Sequence, residues 1–95
     1  MKFAAVYDYL QDATVVTAHR PAHRQYLTNL LAAGQLVCAG PFTDGSGALI
    51  VYEAPDAAAA EAIIRADPFC AAGVFLGWKL YPWNPVFANP ALLPA

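Results

Sequence analysis

The stretch "RPAHRQYLTNLLAAGQLVCAGPF", residues 20–42, changes its period half-way along. Up to Ala33 the apolar residues recur at helical spacing, with Leu31, Leu30, Leu27 and Tyr26 on one stripe. Pro21 suits the first helical position, where a missing N–H costs nothing. Gly34 suits the C-terminal stop. Beyond it, "QLVCAGPF" (35–42) reads as a strand. One position breaks the helical stripe: stepping back from Tyr26 and Leu27 reaches His23, an imidazole where an apolar residue is due.

Working outward, "KFAAVYDYL" (2–10) is rich in β-formers and apolar on both faces, as suits a strand covered on both sides. "QDATVVTAH" (11–19) reads as a linker. "TDGSG" joins the 35–42 strand to "ALIVYEA" (48–54) as a hairpin. "PDAAAAEAIIRAD" (55–67) is an alanine-rich helix with Asp56 as N-cap, and it breaks before Pro68. "VFLGWKLY" (74–81) supplies a fourth strand. The order βαββαβ predicts an α+β, ferredoxin-like domain over 1–83, followed by a proline-rich C-terminal tail over 84–95.

Of the 95 residues, 59% are hydrophobic and 13% charged, more apolar material than one small core and an ordinary surface require. A membrane is not the outlet, because Asp, Arg, Gly or Pro interrupts every apolar run well short of the roughly 18–20 residues of a spanning helix. No signal-peptide pattern precedes Asp8, so a cytoplasmic protein is expected. The surplus predicts a homodimer packed through the sheet face that the two helices leave open. A net charge of −2 with five Lys and Arg residues excludes a nucleic-acid surface. Cys38 and Cys70 read as small buried apolar positions, and no Cys/His spacing suits a metal.

The second helix repeats the anomaly of the first. Ala60, Ile63 and Ile64 lead at helical spacing to Asp67, so a carboxylate closes one inward stripe and an imidazole opens the other. Burying either alone costs several kcal/mol, and pairing would resolve both costs. Paired, the carboxylate would fix the imidazole tautomer and make it a general base or acid. Plainer readings stand beside this one: a backbone carbonyl satisfies many helix-start histidines, and an aspartate before proline is an ordinary N-cap. Arg20 is free to swing toward an anion or to solvate the surface, and Asp44 and Ser46 are ordinary turn residues. Nothing basic lies near Cys70 in sequence to activate it as a nucleophile.

Taken together, "RPAH" (20–23), "AGP" (39–41), "GSGALIVYEA" (45–54), "ADPFCAAGVF" (66–75) and "YPW" (81–83) resemble the YciI-like, or YCII-related, family over about residues 1–83. The resemblance implies a ferredoxin-like dimeric α/β barrel with a site centred on the histidine of "RPAH", His23, and the aspartate of "DPF", Asp67. It also points to Arg20 and Ser46 as substrate-binding residues; no cofactor and no metal are expected. The short "FTD" connection between "AGP" and "GSG" and the tail beyond Trp83 depart from the family pattern. The expected function is that of a small cofactor-independent enzyme of lyase or isomerase type, dehydrohalogenase-like or muconolactone-isomerase-like, acting on a small ring compound. The alternative is a non-catalytic accessory domain that binds a small molecule or anion. A purely structural oligomer-forming module ranks last, since it leaves His23 unexplained.

Overall fold

Asp12, not Pro21, starts the first helix. The structure, a computed structural model that describes residues 1–93, runs this helix, α1, over Ala13–Ala32. The Asp12 carboxylate accepts from the N–H groups of Thr14 and Val15, at 3.1 and 3.3 Å. The expected linker 11–19 is therefore mostly helix, because the cap and the inward Val15 and Val16 outweigh the proline signal. Pro21 sits in the helix interior and removes the N–H that would serve the Thr17 carbonyl. Both residues are exposed, which leaves that carbonyl open to water. The far end behaves as expected. Gly34, at φ +73°, lets its own N–H reach the Leu31 carbonyl and that of Gln35 reach Leu30.

The other elements are β1 (Lys2–Tyr9), β2 (Leu36–Pro41), β3 (Gly47–Glu53), α2 (Ala57–Ala66), the short α3 (Pro68–Ala71) and β4 (Phe75–Trp83). The sheet order is β2-β3-β1-β4 with every neighbour antiparallel, the ferredoxin-like arrangement of an α+β domain. β4 begins at Phe75, one residue later than expected, and runs on through Pro82 and Trp83; as the outermost strand it tolerates a proline. Beyond it, Pro90–Leu92 forms a single 3-10 turn.

Register divides the side chains between two faces. Phe3, Ala5, Tyr7 and Tyr9 of β1 point toward the helices, as do their cross-strand partners Tyr52, Ile50 and Ala48 of β3. Val6 and its partner Leu49 lie on the opposite face, exposed. At the top of this pair a Cβ on Gly47 would lie 1.7 Å from the Tyr7 carbonyl oxygen, so only glycine lets β3 close on β1 there. Tyr26 ties the helices together by donating its hydroxyl to the Ile63 carbonyl at 2.7 Å. Cys38 and Cys70, expected to be buried, are both half-buried and unbridged.

Candidate active site

The inward line of α1 is Val16, His23 and Leu30, spaced seven residues apart, and Asp67 meets that line at His23. The local chain explains why. Pro68 keeps Asp67 extended, at φ −66° and ψ 132°, which ends α2 and makes Asp67 the N-cap of α3. One oxygen of its carboxylate accepts the Phe69 N–H at 2.9 Å. Both oxygens lie 2.8 Å from His23 Nδ1. The ordinary capping role and the pairing role therefore belong to the same side chain.

Asp67 is 1% exposed and His23 6%. A carboxylate only accepts, so it holds the proton of the neutral imidazole on Nδ1 and leaves the lone pair on Nε2. The ring is fixed in plane as well. It stacks on Phe69 at 3.9 Å and 8°, and meets Phe75 edge-on at 6.1 Å. An imidazole locked by one partner at Nδ1, with Nε2 left over, is equipped to accept or return a proton.

His23 forms part of the wall of a cavity of about 470 Å³ between α1 and β2. Arg20 and Arg24, one turn apart on α1, line the same space, and Tyr9 reaches it from the end of β1. Leu93, from the tail, also borders it. Asp67 does not; it stands behind the imidazole. The structure thus brings His23, Asp67 and Arg20 together. It leaves Ser46 apart, on the exposed hairpin turn and outside the lining, with its N–H donated to the Asp44 carboxylate at 2.9 Å. Hydrogen bonds from Ser46 hold the Asp44 carboxyl below its usual range. Among the described residues, no three His, Cys, Asp or Glu side chains gather as a metal site. No described helix is long and apolar enough to cross a membrane.

Beneath the site, Tyr7 and Tyr52 share a hydrogen bond between their hydroxyls, and Tyr7 stacks on Phe75 at 4.1 Å. Burial pushes both phenols well above the ordinary tyrosine value; Tyr52 adds to it at Tyr7, while at Tyr52 the hydrogen bond from Tyr7 opposes it and the Asp67 charge adds to it. Tyr9 is pushed up to about 12, by burial first and Asp67 second, with Arg20 opposing. Tyr9 and Arg24 were invisible as site residues in the sequence. The first passes for one more apolar position in an alternating strand, and the second for a solvated helix charge.

A model of the YCII-related domain matches residues 1–84. The chain belongs to the YCII-related family. The match includes every polar residue of the cavity wall and stops short of Leu93. Comparison with curated proteins finds no match. Among solved structures, this YCII-related chain is similar to a 5-chloro-2-hydroxyhydroquinone dehydrochlorinase from Burkholderia phenoliruptrix AC1100, in complex with 2,5-dihydroxybenzoquinone. The TM-score is 0.77 at 24% identity, over 88% of this chain and 94% of that one. A likeness at that identity establishes a shared fold.

Proposed function

We propose that this YCII-related protein is a small cofactor-independent enzyme performing lyase- or isomerase-type acid–base chemistry on a small ring compound. The observation that carries the proposal is the engagement of His23 Nδ1 by both Asp67 oxygens while His23 lines the cavity. His23 Nε2 takes a proton from a carbon or hydroxyl of the ring. The electron pair left behind forms a new π bond, and in an elimination the leaving group departs with its own pair. Asp67 stabilises the imidazolium, and Arg20 steadies the developing negative oxygen. Ser46 is left out of this assignment because it stands outside the cavity wall. The dehydrochlorinase of the same fold, which carries a hydroxylated quinone, supports a ring compound as substrate.

The test is His23→Asn, whose side-chain amide still donates to Asp67. Turnover of halogenated hydroxyphenols or lactones should fall by at least about a hundredfold, with the circular dichroism spectrum unchanged. Wild-type turnover in that variant removes the assignment. The second reading, an anion-binding accessory domain, is favoured by Arg20 and Arg24, which line the cavity without a salt-bridge partner among the described residues. It predicts ring binding with no turnover in the wild type.

We propose also that two copies pack back to back through the open sheet face, as the apolar surplus calls for, giving the dimeric α/β barrel that the family resemblance implies. Val6, Leu49 and Tyr81, 39–50% exposed, would lie at its centre. Two unbridged cysteines support a reducing, cytoplasmic setting.

A further inference from the structure

Four tyrosines lie on the helix side of the sheet, and three of them are satisfied within the protein. Tyr7 and Tyr52 bond each other, and Tyr26 donates to Ile63. Tyr9 differs. It is 7% exposed, yet its hydroxyl bonds no described residue. A buried tyrosine hydroxyl ordinarily finds a partner. Nor is this one sealed in: among the described residues the only sealed side-chain polar atom without a hydrogen bond is a Glu61 oxygen. The Tyr9 hydroxyl is therefore accessible, on a residue that lines the cavity beside His23.

The placement of Tyr9 is as fixed as that of His23. Its ring meets Phe69 edge-on at 5.6 Å and Phe75 at 6.0 Å, the same two rings that hold the imidazole. Two guanidiniums, Arg20 and Arg24, and the Thr28 hydroxyl, which donates to the Arg24 carbonyl at 2.9 Å, complete the polar wall, and no carboxylate belongs to it. The rest of the lining is largely apolar, with Leu27, Leu36 and Ile50 on it. Positive charge, one fixed phenol and apolar walls together describe the complement of a flat ring bearing an ionised oxygen.

We infer that Tyr9 donates a hydrogen bond to an oxygen of an anionic ring compound held by Arg20 and Arg24, so that the cavity selects phenolate-like or enolate-like rings over neutral ones. This rests on the reading that the cavity beside His23 is the ligand site; it does not require His23 to move a proton. A phenol is protonated at neutral pH, and burial pushes this one further up, to about 12, so Tyr9 serves as a donor, not a base. Tyr9 is thus a binding residue that the sequence motifs did not reveal, in the role that the family resemblance gave to Ser46.

The test is calorimetric titration of the full chain at neutral pH with 2,4-dinitrophenolate and with its neutral methyl ether. The anion should bind at least about tenfold more tightly than the ether. Tyr9→Phe keeps the ring packing and Arg24→Gln alters an exposed position; each should weaken the anion roughly tenfold, leave the ether unaffected, and melt within a few degrees of the wild type. Equal affinity for the two rings, no binding of the anion, or wild-type anion affinity in either variant overturns the inference. His23→Asn separates the two readings. If it retains turnover while the Tyr9 and Arg24 effects persist, the acid–base proposal alone fails; if it loses turnover while those variants bind normally, the anion inference alone fails.

Discussion

On the side of the sheet beneath the helices, the buried set includes three tyrosines, a histidine and an aspartate; on the other side, Val6, Leu49 and Tyr81 stand half in solvent. An isolated domain would do better with these assignments exchanged, since burying polar groups costs free energy and exposing apolar ones forfeits it. The covered face tolerates its polar groups because most are tied: His23 to Asp67, Asp67 to the Phe69 N–H, and Tyr7 to Tyr52. The open face has no such internal remedy. The contrast separates two kinds of departure from a simple core: one resolved inside the chain and shaped into a cavity, the other resolved only by a second surface.

The most forceful way to break the comparison is to cut the tie at Asp67. Asp67→Ala removes the partner of His23 and the cap of α3 in one step. Breaking a buried hydrogen-bonded pair costs about 3–5 kcal/mol. The urea midpoint should fall accordingly, and turnover should disappear with it. Asp67→Asn, which still accepts from the Phe69 N–H, should lose less. A cost below about 1 kcal/mol for the alanine variant would mean that the buried polar groups do not act as a unit.

The open face is tested by Leu49→Arg, which sets a charge opposite Val6 in the middle of the exposed strands. Leu49 is 40% exposed, so covering the rest is worth about 1 kcal/mol; burying an unpaired charge in its place costs several kcal/mol more, and two-fold symmetry counts both twice. The dimer dissociation constant should therefore rise at least about a hundredfold, while circular dichroism shows an intact monomer fold. Sedimentation equilibrium makes the measurement. A wild-type chain that sediments as a monomer at micromolar concentration would remove the proposed contact altogether. Hydrogen exchange offers a second check, because a solvated open face in an oligomer would place the interface elsewhere.

The two faces were unequally legible in the sequence. Strand and helix order followed from period, and the apolar surplus pointed to an uncovered sheet face. The cavity was legible only in part. His23 and Asp67 stood out because each interrupts an apolar stripe at helical spacing. Their contact did not, because they stand 44 positions apart along the chain, with β2 and β3 between them in sequence. Tyr9 interrupts nothing: tyrosine is a good strand residue, and hydropathy patterning counts it as apolar whatever its hydroxyl does. Ser46 was singled out through motif resemblance, and the hairpin carries it away from the cavity wall. Pro21 misled for a related reason. A residue that suits a helix start is not excluded from an exposed turn further along, and Asp12 with Val15 and Val16 had already begun the helix.

The smallest effect concerns the tyrosines that line the covered face, and its sign follows from burial. Tyr7 and Tyr52 ionise well above the value near 10 that holds in the unfolded chain, and Tyr9 only near 12. Between those limits the unfolded chain has lost phenolic protons that the folded chain retains, so the folded state binds more protons and stability falls as pH rises. Below about pH 10 the unfolded phenols are protonated too, and this contribution is fully present. The urea midpoint should be flat with respect to these groups up to about pH 10 and should decline above it. Replacing Tyr7 and Tyr52 together by Phe removes both members of the hydrogen bond, which is close to neutral at pH 7, and should flatten the alkaline decline. An unchanged slope in the double variant would assign that decline elsewhere, and the covered face would then lose its claim to hold its phenols protonated by burial.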